Sequence, residues 1–97
     1  MNIEAADTFQ ARVARHAALA DPARLRIMDL LTLGDLSPSE LQAELGGMPA
    51  NLLSHHLRTL EDAGLATRHR SEADKRRSYL RLAAGALDGA CPRGGGA

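Results

Sequence analysis

Cysteine is nearly missing from this sequence: Cys91 stands alone in 97 residues. It cannot close a disulfide within the chain, and it removes any thiol-rich metal framework, so the fold must stand on packing in a reducing compartment. Long apolar runs are missing too. None approaches the roughly 18 to 20 residues of a membrane span, and Met1 to Gln10 carries acids where a secretory signal has basic and apolar blocks. A cytoplasmic protein with no membrane segment is expected. Also absent are a Gly-rich phosphate loop, a Cys or Ser nucleophile beside a His and an acid, and a cluster of metal ligands. The chain therefore reads as a non-enzyme with no cofactor and no metal site.

Net charge is lacking as well, since twelve basic side chains meet twelve acidic ones. Its distribution is uneven. Met1 to Leu53 holds four basic and seven acidic residues, whereas Ser54 to Leu82 holds seven and four. A basic segment of this kind suits a phosphate-facing surface, where counterion release supplies most non-specific DNA affinity. A solvated basic face is the plainer alternative.

What is present is one domain's worth of patterned apolar residues. Ile3, Phe9, Val13 and Ala17 recur at near-helical spacing and predict a first helix from about Glu4 to Ala20. Asp21-Pro22 supplies an N-cap and a first-turn proline for a second helix, which should carry Leu25, Ile27, Met28 and Leu31 inward and stop at Gly34. Ser37-Pro38-Ser39-Glu40 has the form of a capping box for a short third helix through Leu41 and Leu45, ended by Gly46-Gly47. Pro49 opens a fourth, to about Ala63, with Gly64 as its C-terminal cap. On that helix Leu53, His56, Leu57, Leu60 and Ala63 share one side, and Ala50, Asn51, Ser54, His55 and Arg58 the other. Leu65–Arg70 and Arg77–Leu82 then read as a β-hairpin around a charged tip. Residues 83–97, rich in alanine and glycine, read as a flexible tail or linker.

Two short helices joined by a glycine turn, followed by a basic hairpin, give a mainly α fold with a small β-hairpin: a winged helix-turn-helix over residues 1–82. The expected partner is double-stranded DNA. Asn51 can read adenine, Arg58 can hold phosphate or guanine, Ser54 and His55 can hydrogen-bond at short range, and Ala50 keeps the approach open. Arg68, Arg70, Lys75, Arg76 and Arg77 form the wing that follows the backbone or enters the minor groove. Their bland alternative is a solubilising hairpin.

The stretch from Ala17 to Leu82 resembles the ArsR/SmtB family of bacterial repressors. The resemblance is carried by Ala18-Leu19-Ala20-Asp21-Pro22-Ala23-Arg24-Leu25-Arg26-Ile27, by the run from Ser54 to Leu65, and by Tyr79-Leu80-Arg81-Leu82. It implies a homodimeric, autoregulatory repressor that leaves an inverted-repeat operator when an inducer binds. The family's first and last helices make the dimer, which here assigns the interface to Phe9, Val13 and Ala17. Many members carry a Cys-x-Cys pair at the start of the third helix, where this chain has Leu36-Ser37-Pro38-Ser39, and Ala84 to Ala90 offers only Asp88 of the zinc sensors' ligands. Metal sensing by those routes is not expected, and no inducer is named by the residues.

His55 and His56 point about 100° apart on a helix, so they are not a chelating i, i+4 pair; His55 is assigned to DNA and His56 to a partly buried place. His16 reads as a polar surface group, His69 as a neighbour of phosphate, and Cys91 as an incidental thiol. Two other readings stay open: a regulatory module within a larger arsenate-reductase-type fusion, and a winged-helix module for protein contact.

Overall fold

The computed structural model describes residues 8–86. Helix α1 spans Phe9–Leu19, α2 Pro22–Leu31, α3 Pro38–Glu44 and α4 Ala50–Asp62, followed by strands β1 (Ala66–Arg70) and β2 (Ser78–Leu82). This is the expected winged helix-turn-helix order. Among the described residues no helix is long and apolar enough to cross a membrane.

Each helix start has a chemical cause. Thr8 is extended, and its hydroxyl accepts from the Ala11 amide at 3.0 Å. Helix α1 thus begins later than the expected Glu4, because a threonine side chain replaces the missing carbonyl partner at that point; Ile3 and Glu4 lie outside the described residues. The Asp21 carboxylate accepts from the amides of Ala23 (2.9 Å) and Arg24 (3.1 Å), starting α2 at Pro22. Those bonds hold its carboxyl below the ordinary value, the Arg24 amide contributing most. The predicted capping box closes fully: the Glu40 amide donates to Ser37 Oγ at 3.1 Å, and the Ser37 amide to Glu40 Oε1 at 2.8 Å.

Two readings of α2 need correction. It ends at Leu31, before Gly34, and Leu25 is 48 % exposed. The buried stripe is Ile27, Met28 and Leu31, and Leu25 sits roughly 100° around the helix from it. Helix α4 ends as expected, with Gly64 at φ 76° in the left-handed region. There the Leu65 amide donates to the Leu60 carbonyl at 2.9 Å and the Gly64 amide to Glu61 at 3.0 Å, the paired bonds that let a glycine close a helix. Gly46 and Gly47, at φ 77° and 82°, turn the chain between α3 and α4.

Strands β1 and β2 pair antiparallel, from Ala66 opposite Leu82 to Arg70 opposite Ser78. A third segment joins them. Leu36 and Leu80 exchange both backbone hydrogen bonds, at 3.2 and 2.8 Å, and Arg81 donates twice to Asp35 Oδ2, at 3.0 and 2.8 Å. The guanidinium holds the Asp35 carboxyl below its ordinary range. Ile27, Met28, Leu41, Leu57, Leu60, Leu65 and Leu80 fill the centre, drawn from α2, α3, α4 and the wing. The packed fold runs past Leu82: the Ala83 amide donates to Leu65 at 3.0 Å, and Ala86 is buried. Among the described residues no buried side-chain nitrogen or oxygen lacks a partner.

Candidate nucleic-acid interface

Helix α4 divides as its sequence predicts. Leu53, His56, Leu57 and Leu60 are buried, whereas Ala50, Asn51, Ser54, His55 and Arg58 are exposed together on the other side. Among the described residues no ion pair or side-chain hydrogen bond engages Asn51, Ser54 or Arg58. These groups project from a helix whose inner side is fixed, so their spacing is preset before any ligand arrives. The turn before α4 is held by Gln42, whose Nε2 donates to the Met48 carbonyl at 2.7 Å. No side chain caps the first turn of α4 at Pro49, which leaves its amide end open to an anion.

His56, expected to be partly buried, is held by α2. It is buried, its Nδ1 lies 2.9 Å from an Arg24 guanidinium nitrogen, and its Nε2 lies 4.0 Å from Asp21 Oδ2. Burial lowers its pKa from the ordinary 6.5; Asp21 opposes this, and Arg24 and His55 add to it. Nothing local in the sequence signals a contact spanning 32 positions. His55 remains on the outer face, with its ring centroid 5.7 Å from that of His56.

The hairpin presents its cations unequally. Arg68 donates to Glu61 Oε2 at 2.9 Å, which pins β1 to the end of α4. Arg70 donates to the Lys75 carbonyl across the tip. The tip is further shaped by the Arg77 amide donating to Asp74 O, the Ser71 amide to Arg77 O (both 2.9 Å), and the Arg76 amide to Asp74 Oδ1 (3.0 Å). Arg77 also lies over the Tyr79 ring at 5.9 Å. Lys75, Arg76 and Arg77 project outward, the Arg76 side chain 91 % exposed with its Nε 3.5 Å from Asp74 Oδ1. The arrangement thus assigns Arg68 and Arg70 partly to holding the wing, a division that charge counting did not reveal. His69 Nε2 lies 2.8 Å from Thr67 Oγ1 on β1.

Helix α1 carries a separate surface. Phe9 is 73 % and Val13 51 % exposed, and with Ala17, Arg12 and His16 they line one shallow groove. His16 Nδ1 lies 2.8 Å from the Arg12 carbonyl of its own helix. Among the described residues no three His, Cys, Asp or Glu side chains gather in a metal-holding group; Asp88 and Cys91 lie outside them.

The profile of the helix-turn-helix domain family matches residues 19–69. A crystal structure of a possible transcriptional regulator for arsenical resistance is 34 % identical, covering 76 % of this chain and 73 % of its own, with a TM-score of 0.67. Rv0081 of M. tuberculosis is 29 % identical, with coverage of 84 % and 79 % and a TM-score of 0.72. The homodimeric winged helix-turn-helix DNA-binding domain of Mb0332 from Mycobacterium bovis, a possible ArsR-family transcriptional regulator, is 28 % identical over 84 % of this chain and 71 % of that one, with a TM-score of 0.69. No curated protein sequence matches.

Proposed function

The chain belongs to the ArsR family of winged helix-turn-helix regulators, and from that premise we propose that it is a homodimeric, sequence-specific repressor of an inverted-repeat operator on double-stranded DNA. The observation that carries this reading is the polar outer face of α4, set against an inner face that is wholly committed to the core. Asn51 reads a base edge through its amide, Ser54 and His55 approach closely, and Arg58 holds phosphate or guanine. The uncapped start of α4 faces a phosphate. Lys75, Arg76 and Arg77 follow the adjacent backbone, with Arg68 and Arg70 supporting the wing from behind.

Two reading helices related by a two-fold axis enter successive major grooves about 34 Å apart. The Phe9, Val13 and Ala17 stripe supplies the contact between the copies, as an apolar side of α1 that the described residues leave exposed. The protein acts in the cytoplasm by occupying DNA and not by catalysis. Its inducer does not work through thiolates at the start of α3, because Ser37 and Glu40 there are bonded to each other's backbone as a helix cap.

Titration of duplex DNA across a range of salt concentrations tests the proposal. Binding should weaken as salt rises, and replacing Arg76 and Arg77 by Ala should weaken selected and random duplexes alike, flattening the slope by roughly one unit per lost phosphate contact. Salt-independent behaviour would favour the protein-contact reading. A loss confined to one duplex would mean that these arginines read bases.

A further inference from the structure

One side chain touches three helices. Arg24, on α2, donates from Nε to the Ala18 carbonyl at the end of α1 (2.7 Å) and from its terminal nitrogen to His56 Nδ1 in the middle of α4 (2.9 Å). Its own amide meets the Asp21 carboxylate that caps α2. A guanidinium has only donors and stays protonated, so Nδ1 of His56 must be the acceptor. The imidazole is therefore neutral, with its proton on Nε2, the nitrogen directed at Asp21 Oδ2 4.0 Å away. On α4, His56 is the immediate neighbour of His55, which stands on the outer face.

We propose that Arg24 and His56 are positioning residues for DNA reading: their contact fixes α4 to α1, so that the distance between the two reading helices of a dimer is set by this joint and released when the imidazole becomes doubly protonated. The inference rests on the dimeric DNA-binding reading above. It explains why a part-buried arginine meets a buried histidine where apolar side chains would pack, since a directed hydrogen bond fixes position along and around a helix more narrowly than apolar contact does.

Protonation opposes the joint directly. An Nδ1–H would face an N–H of Arg24, donor against donor and cation against cation. The charged groups facing His56 are Asp21 and Arg24 from α2 and His55 from its own helix; α1 contributes only the Ala18 carbonyl, through Arg24. Asp21 cannot offset the repulsion fully, because the same oxygen already accepts two amides. Since burial lowers the folded pKa, the neutral joint is complete above the ordinary histidine value of 6.5 and is lost as pH falls through the lower folded value.

The test uses duplexes selected from a random pool by the wild-type chain at about pH 8, and the same duplexes with one base pair inserted between half-sites. Wild type should lose about tenfold or more on the inserted duplex. Arg24→Ala and His56→Phe should shrink that penalty to about twofold while still melting cooperatively. His56→Gln keeps an acceptor that does not titrate. It should retain the full spacing penalty at about pH 8 and throughout the acid titration in which wild type loses it. Equal penalties in wild type and Arg24→Ala, or equal acid responses in wild type and His56→Gln, would overturn the proposal. Nitrogen NMR of the free protein separates it from the reading beneath it: His56 should show a bare Nδ1 that changes in Arg24→Ala. If that signature holds but wild type itself selects no paired half-sites, the dimeric reading has failed, and the spacing role with it. If paired half-sites are selected but the signature is missing, only the joint has failed.

Discussion

Helices α4 and α1 are both amphipathic, yet they spend their apolar sides differently. On α4, Leu53, Leu57 and Leu60 are covered by the chain's own α2, α3 and wing. On α1, Ala18 is the one fully buried residue, while Phe9 and Val13 face outward. Their termini differ in the opposite sense, since α1 has a side-chain cap at Thr8 and α4 has none at Pro49. Capping does not simply follow core burial, since the core-filling α2 and α3 are capped by Asp21 and by Ser37 with Glu40; α1, which rests more lightly on its neighbours, depends more on its cap. In the proposed dimer the same contrast would separate what folds one copy from what joins two.

Substitutions on the two helices should therefore fail in different ways. The largest loss of stability is expected from Leu57→Ala, because truncating a fully buried leucine costs about 2 to 5 kcal/mol through lost transfer energy and a cavity. Chemical denaturation would read this as a lower midpoint, and an unchanged midpoint would mean that α4 is not anchored as described. Phe9→Glu should leave that midpoint nearly unmoved while removing roughly 2 kcal/mol or more of association energy. Sedimentation should then give monomers and operator titration a loss of binding; a dimeric variant would refute the α1 interface. Asn51→Ala comes next, expected to cost about 1 to 3 kcal/mol on a selected operator and to relax discrimination at one base pair, with no change in melting. Unchanged operator affinity would remove Asn51 from the reading face. The smallest effect belongs to Thr8→Ala, about 1 kcal/mol from a lost cap, visible as faster amide exchange at Ala11 with α4 unaffected.

Much of this contrast was legible in the residues. Asp21, the Ser37–Glu40 box and Gly64 mark helix ends by local hydrogen bonding, which needs no tertiary information. The two sides of α4 follow from periodicity, because its stripe is broad and regular. Leu25 reads as inward because apolar residues crowd α2, but which of them turns in is decided by where α4 and the wing lie. The Arg24–His56 contact and the Leu36–Leu80 and Asp35–Arg81 pairings join positions far apart in the chain. Such contacts have no local signature, since charge and apolarity at each partner look the same when the partner is absent. For the wing, counting cations found the segment but could not separate Arg68, half-exposed and 2.9 Å from Glu61, from Arg76, whose exposed side chain stands 3.5 Å from Asp74.

The pairing of Leu36 with Leu80 gives the hairpin a clamped root and an unclamped tip, the mechanics of a cantilever. The fully buried Leu80, the reciprocal backbone bonds and the Asp35–Arg81 bridge all lie at that root. Leu36 immediately precedes Ser37, the cap of α3. In the proposed complex a phosphate pulling on Lys75 or Arg76 would therefore apply torque to the segment that begins the helix-turn-helix, so that wing and reading helix would respond as one lever.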